Sequence, residues 1–169
     1  LDVTDIDSFV LWDEPILVLP PPRITEVEEA IGRNCASLIQ DGDTLQLGIG
    51  AIPDAVLRFL RDKKDLGIHS ETFSDGVVDL VEAGVITNAK KKLHPGKFVS
   101  TLMMGTQRLY DFVDNNPDVE LYPVDYSNHP NTIAKNENMV SINSAIQVDL
   151  MGHVNAETIG PRQFSGCLL

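Results

Sequence analysis

Thr44-Leu45-Gln46-Leu47-Gly48-Ile49-Gly50-Ala51-Ile52-Pro53 decides how the chain folds. Thr44 to Leu47 is a short buried-strand candidate, and two glycines turn the chain at its end. Pro53 stands in the first turn of a helix expected to run to about Arg61, where a residue without an N–H forfeits no intrahelical bond. The unit is therefore strand, glycine turn, helix. It is not a dinucleotide fingerprint, because Pro53 falls where the third glycine of G-x-G-x-x-G would continue the pattern. Two readings of Gly48 and Gly50 stay open: a tight structural turn, or a cradle that offers backbone N–H groups to an anion.

The same alternation extends to both sides. Upstream, Thr25 and Glu28 form a capping box, and Val27, Ile31, Cys35, Leu38 and Ile39 recur at helical spacing, which predicts a helix to about Gln40. Asp41-Gly42-Asp43 then turns the chain. Before it, Ile16 to Leu19 reads as a strand or extended connector, stopped by Pro20-Pro21-Pro22. Downstream, strands are expected over Leu66–Glu71, Phe98–Met103 and Val119–Tyr122, with a strand or strand pair over Met139–Leu150. Helices are expected over Val77–Ala83 and Thr106–Val113. Strands alternating with helices predict an α/β fold, an open parallel or mixed sheet flanked by helices.

Composition narrows the function. At 169 residues and 43% hydrophobic content the chain suits one domain of about 150 residues. A net charge of -12 opposes nucleic acid and anionic membranes as partners. The only basic run, Lys90-Lys91-Lys92, reads as a solvated turn. Cys35 and Cys167 lack C-x-x-C spacing, and Cys35 falls on the apolar face of the first helix, which fits a buried thiol in a reducing cytoplasm. No apolar run approaches the 18 or so residues of a membrane span, and Leu1-Asp2-Val3 has no basic leader region.

Glu71 ends the strand Gly67-Ile68-His69-Ser70-Glu71, just before a turn built from Ser74, Asp75 and Gly76. Open α/β sheets place ligands at the carboxyl ends of strands, so Glu71 is a candidate base or nucleophile, beside the plainer reading of a solvated carboxylate. His69, on the same strand face, reads as a hydrogen-bonded structural residue. Ser127-Asn128-His129-Pro130-Asn131 and Asp149 through Asn155 read as loops. No histidine, cysteine or carboxylate spacing points to a metal, and no G-x-S-x-G elbow occurs.

Taken together, Leu45 to Pro53, Gly67 to Glu71, Phe73-Ser74-Asp75-Gly76, Met104-Gly105-Thr106 and Gly152-His153-Val154-Asn155 resemble, in order and spacing, the acetyl-CoA hydrolase and 4-hydroxybutyrate CoA-transferase family. The resemblance runs from about Trp12 to Gly166. It implies a CoA-transferase-like fold and a ping-pong transfer of coenzyme A between short-chain carboxylic acids, with Glu71 as the covalent nucleophile. It further implies that Gly48 and Gly50 present N–H groups to an oxyanion, that Gln46 and Asn128 bind near the thioester, and that Gly105 and Asn155 are further site candidates. Acyl-CoA and coenzyme A would be substrates, with no permanently bound cofactor, in a cytoplasmic homodimer. Within the family, acyl-CoA hydrolysis is the neighbouring activity; a non-catalytic module that binds CoA or a phosphate is the alternative outside it. The resemblance also implies that residues 1–22 connect to an amino-terminal domain, and that residues 23–169 form a catalytic domain truncated at its carboxyl end.

Overall fold

The computed structural model describes residue 4 and residues 6–165 of the chain. Gly166 and Cys167 therefore lie outside the described residues. The chain forms α1 (Glu26–Ala36), β1 (Thr44–Leu47), α2 (Ala51–Arg58), β2 (Gly67–Ile68), α3 (Asp75–Glu82), β3 (Phe98–Ser100), α4 (Gln107–Val113) and β4 (Val119–Leu121). Two short helices follow, α5 (Val124–Ser127) and α6 (Pro130–Ile133), then β5 (Met139–Ile142). The last elements are the hairpins β6 (Gln147–Val148) with β7 (Val154–Asn155) and β8 (Thr158–Ile159) with β9 (Arg162–Gln163).

The expected α/β architecture is present. Strands β2, β1 and β5 form one parallel sheet, and β3 and β4 form a second parallel pair. A parallel bridge between His69 and Val99 joins them, giving the order β5-β1-β2-β3-β4. The strand expected over Leu66–Glu71 keeps a regular ladder only at Gly67–Ile68 because its partners change along its length. Leu66 pairs with Ile86, Gly67 and Ile68 with β1, and His69 with Val99.

Register separates the two faces of the central strands. Leu45 stands opposite Ile68 and Val140, and Leu47 opposite Ile142. Leu45, Leu47, Ile68 and Ile142 join a buried cluster with Ala36, Ile39, Val56, Leu57, Leu60, Phe73 and Leu80. One residue out of step, Gln46 stands opposite Ser141 on the other face.

Helix α1 starts as expected: Thr25 Oγ1 accepts from the Val27 N–H, and the Glu28 carboxylate accepts from the Thr25 N–H at 2.8 Å. Its contact face differs from expectation. Val27 and Leu38 are exposed, while Gly32, Ala36 and Ile39 are buried. The reason is a close crossing with α2, where a Cβ on Gly32 would stand 2.8 Å from the Ala55 carbonyl carbon. Only glycine permits that approach. The helix ends at Ala36 and α2 ends at Arg58, each a few residues early, because the following N–H groups bond to the third residue back: Leu38 to Cys35, Ile39 to Ala36, Leu60 to Leu57.

Three further expectations are corrected. Lys91 is not solvated; it is 4% exposed, and its ammonium donates to the carbonyls of Ile68 at 2.7 Å and Lys97 at 2.6 Å. The stem fills the hollow over Gly67, where a Cβ would approach Lys91 Cγ to 2.6 Å. Burial pushes its pKa down to about 8. Residues 127–131 are not an open loop but join α5 to α6, the latter begun by Pro130 and capped by His129 Nδ1, which accepts from the Asn131 N–H at 3.1 Å. Val154 and Asn155 are paired in β7 rather than looped. The segment before α1 carries exposed Phe9 to Trp12 and forms no strand among the described residues. It is tied down near Pro20 by Leu19 N–H donating to the Gly105 carbonyl at 2.8 Å.

Candidate active site

The register that sends Leu45 and Ile68 into the core sends Gln46, His69 and Glu71 to the opposite face, beneath α5 and α6. There they line a cavity of about 200 Å³ with Ser70, Ser127, Asn128 and Ser141. Glu71 leaves the end of β2 as the chain turns, its carbonyl fixed by N–H donors from Thr101 at 2.9 Å and Leu102 at 3.0 Å and by the Ser100 hydroxyl at 2.9 Å. Ser70 Oγ ties the same stretch to β1, accepting from Leu47 N–H at 3.0 Å and donating to the Thr72 carbonyl at 2.6 Å. With its backbone held on both sides, the half-buried Glu71 carboxylate points at the α5–α6 junction, where Asn128 Nδ2 donates to Oε2 at 2.9 Å.

Gln46 faces the same cavity with its amide oriented by neighbours. Its Oε1 accepts from Ser141 Oγ and from Asn143 Nδ2, the latter at 2.9 Å, and its Nε2 gives one N–H to Asn143 Oδ1 at 3.4 Å, which leaves the second N–H for the cavity. His69 is deeply buried, with Nε2 2.8 Å from the Ser127 carbonyl and Nδ1 3.2 Å from Asn136 Nδ2, as expected of a hydrogen-bonded structural histidine. Desolvation holds its pKa below the ordinary imidazole value, and the nearby Lys91 and His94 act in the same direction.

The remaining candidates lie elsewhere. The Gly48 N–H donates to the Ile142 carbonyl at 2.8 Å, so the sheet already uses it; a side chain there would collide with Asn143 Oδ1 at 2.8 Å. Gly50 begins α2 with φ 120, a conformation that glycine alone adopts readily. It borders a separate cavity of about 610 Å³, whose walls include Pro21, Asp54, Asp75 and Arg108. Gly105 borders that larger cavity too, packed against Asp75 Oδ2, where a Cβ would come within 2.5 Å. Asn155 braces its own turn, donating to the Thr158 carbonyl at 2.7 Å and accepting from Glu157 and Thr158 N–H groups at 3.1 Å. Gln46, Glu71 and Asn128 are therefore brought together, while Gly48, Gly50, Gly105 and Asn155 are not among the lining of that cavity.

Sequence reasoning missed Ser127, Asn136, Ser141 and Asn143, which hold the site together. The one sequence cue was the alternation of polar Ser141 and Asn143 with apolar Val140 and Ile142. Among the described residues, no cluster of histidine, cysteine and carboxylate groups could hold a metal ion, and no helix is long and apolar enough to cross a membrane.

Residues 105–167 match the family described as the acetyl-CoA hydrolase/transferase C-terminal domain. The chain is 66% identical over 166 residues to the 4-hydroxybutyrate coenzyme A transferase of Clostridium kluyveri, covering 98% of this chain and 39% of that protein. It is 48% identical over 166 residues to the succinyl-CoA:cyclohexane-1-carboxylate CoA transferase of Geobacter metallireducens, covering 98% of this chain and 38% of that protein. Among solved structures, it superposes on the 4-hydroxybutyrate CoA-transferase of Porphyromonas gingivalis with a TM-score of 0.81 at 58% identity, over 85% of this chain and 36% of the other. RipA from Yersinia pestis gives a TM-score of 0.86 at 39% identity, over 93% of this chain and 36% of the other. The chain thus spans about two fifths of the length of the curated relatives it matches.

Proposed function

Because the chain belongs to the acetyl-CoA hydrolase/transferase family, we propose that it carries the nucleophile of a coenzyme A transfer between carboxylic acids, and that the nucleophile is Glu71. The observation that carries this reading is the Glu71 carboxylate held at 2.9 Å by the Asn128 amide, at a strand end, in a cavity that Gln46 also faces. A carboxylate is suited to the task because its acyl anhydride and its thioester both conserve the energy of the substrate thioester.

A Glu71 oxygen attacks the thioester carbonyl of an acyl-CoA, the carbon–sulfur bond breaks, and CoA leaves as the thiolate from a mixed anhydride. The thiolate then attacks the Glu71 carbonyl carbon, releasing the first acid as its carboxylate and leaving a glutamyl-CoA thioester. An incoming carboxylate attacks that thioester and expels the thiolate. The thiolate attacks the acyl carbon of the new anhydride, which yields the second acyl-CoA and restores the Glu71 carboxylate. No external oxidant, reductant or metal enters the balance.

The residues supply positioning and charge stabilisation. Asn128 Nδ2 orients the attacking carboxylate, and it stands where negative charge grows on the Glu71 carbonyl oxygen in the thiolate steps. The Gln46 Nε2 hydrogen that is not given to Asn143 is the second donor toward the cavity. A preorganised donor of this type lowers a barrier by about 3 kcal/mol. The N–H of Gly50 is a third donor for this reading only if the substrate spans from the Glu71 cavity to the start of α2; Gly48 drops out because its N–H is bound to Ile142.

The test is to incubate the intact protein with an acyl-CoA, quench with borohydride and map the product by mass spectrometry. Reduction of Glu71 to the corresponding alcohol is expected, and its loss in Glu71→Ala. An unmodified Glu71 peptide from an enzyme that turns over would overturn the assignment. Following CoA release with and without an added carboxylic acid separates transfer from hydrolysis, since only transfer depends on the acid.

A further inference from the structure

His69 carries a second role that burial alone does not require. It lies just past β2, two residues before Glu71, and both ring nitrogens are engaged although the side chain is 2% exposed. The Ser127 carbonyl can only accept, so Nε2 carries the proton. On the other side, Asn136 Oδ1 accepts from the Leu93 N–H at 3.0 Å, which turns its Nδ2 toward His69 Nδ1 and makes that nitrogen the acceptor. The ring is therefore fixed as one neutral tautomer from both ends. A proton on Nδ1 would meet the Asn136 amide donor.

Ser127 is the residue next to Asn128. A closed circuit results: the Glu71 carboxylate to the Asn128 amide at 2.9 Å, one peptide back to the Ser127 carbonyl, across 2.8 Å to His69 Nε2, and along the strand through Ser70 to Glu71. We propose that His69 is the positioning residue of Glu71, and that its fixed neutral tautomer clamps the α5–α6 junction so that Asn128 stays in register with the attacking carboxylate. The titratable neighbours of the ring are Lys91 and His94, from the segment between α3 and β3, and Glu71, two residues further along its own segment. The groups touching the ring, Ser127 and Asn136, are uncharged. The proposal rests on the reading of Glu71 as the nucleophile.

Three variants of the intact protein test it, with acyl-CoA as the probe. Gln at this position still extends an N–H toward the Ser127 carbonyl, whereas Leu does not. In folded protein, His69→Leu lowers kcat about 100-fold, the scale of a misplaced reacting group, with KM for acyl-CoA little changed, and His69→Gln restores most of that loss. Asn136→Asp replaces the donor facing Nδ1 by an acceptor. His69 then takes up a proton, and its cation beside Glu71 depresses kcat at low pH. The rate of this variant is expected to rise through the imidazole range, about pH 6 to 8, where the parent stays flat. Equal kcat in the Leu and Gln variants, or an Asn136→Asp profile that overlays the parent's, would overturn the proposal. If His69→Leu fails to fold, the Asn136→Asp profile decides alone. Borohydride trapping at Glu71 in the parent is run alongside: trapping with unaltered His69 and Asn136 variants defeats the positioning role only, whereas no trapping in the parent defeats the nucleophile.

Discussion

The two faces of the central strands are built from alternate residues of the same segments, yet they answer to different physics. Leu45, Leu47, Ile68 and Ile142 face a buried apolar cluster beneath α1, α2 and α3, where any well-shaped hydrocarbon would serve. Gln46, His69, Glu71 and Ser141 face α5 and α6, where each polar group has a named partner at a fixed distance. One face tolerates changes of shape within limits of volume, and the other tolerates almost no change of donor or acceptor. The lesson is that neighbouring positions in one strand should separate stability from rate.

The largest expected effect comes from the apolar face. Ile68→Ala removes a fully buried side chain and is expected to cost about 3 kcal/mol, read from the denaturant midpoint, while kcat per folded molecule stays near the parent value. A comparable fall in kcat would break the separation of the faces. On the polar face, Asn128→Ala is expected to lower kcat about 100-fold and to leave the midpoint within about 0.5 kcal/mol. An unchanged kcat would remove Asn128 from the site.

Lys91 crosses from one category to the other, since it is a charged group on the packed side of the structure. Its folded pKa of about 8 lies below the ordinary 10.5, so between those values the unfolded chain holds a proton that the folded chain has released. Stability from this group therefore rises with pH across that window and is least below pH 8. Lys91→Met is expected to flatten the rise, checked by denaturant midpoints on either side of the window. The smallest effect belongs to the periphery: Thr25→Ala removes the capping hydroxyl of α1 and should cost about 1 kcal/mol in the same assay, with kcat unchanged.

Much of the frame was legible in the chain itself. The capping box at Thr25, the strand at Thr44–Leu47, the glycine turn and the helix holding Pro53 all depend on contacts a few residues long, and each is present. Glu71 at a strand end was legible for the same reason. The ends of α1 and α2 were overrun because local apolar spacing continues where the backbone has already tightened. Lys91 was misread because its position in a basic run says nothing of the hollow above Gly67. The partners of Gln46 were invisible because Ser141 and Asn143 stand 95 and 97 residues away.

From the sequence alone came the alternating elements, the α/β class and a carboxylate at the end of the second strand, because periodicity, proline and glycine act on the backbone within a turn or two. Only the tertiary structure decided that Glu71 meets Asn128 from 57 residues away, that the Gly48 N–H is spent on the sheet, and that His69 grips the Ser127 carbonyl. Those facts depend on which strands become neighbours and in what register, and no local pattern carries that information.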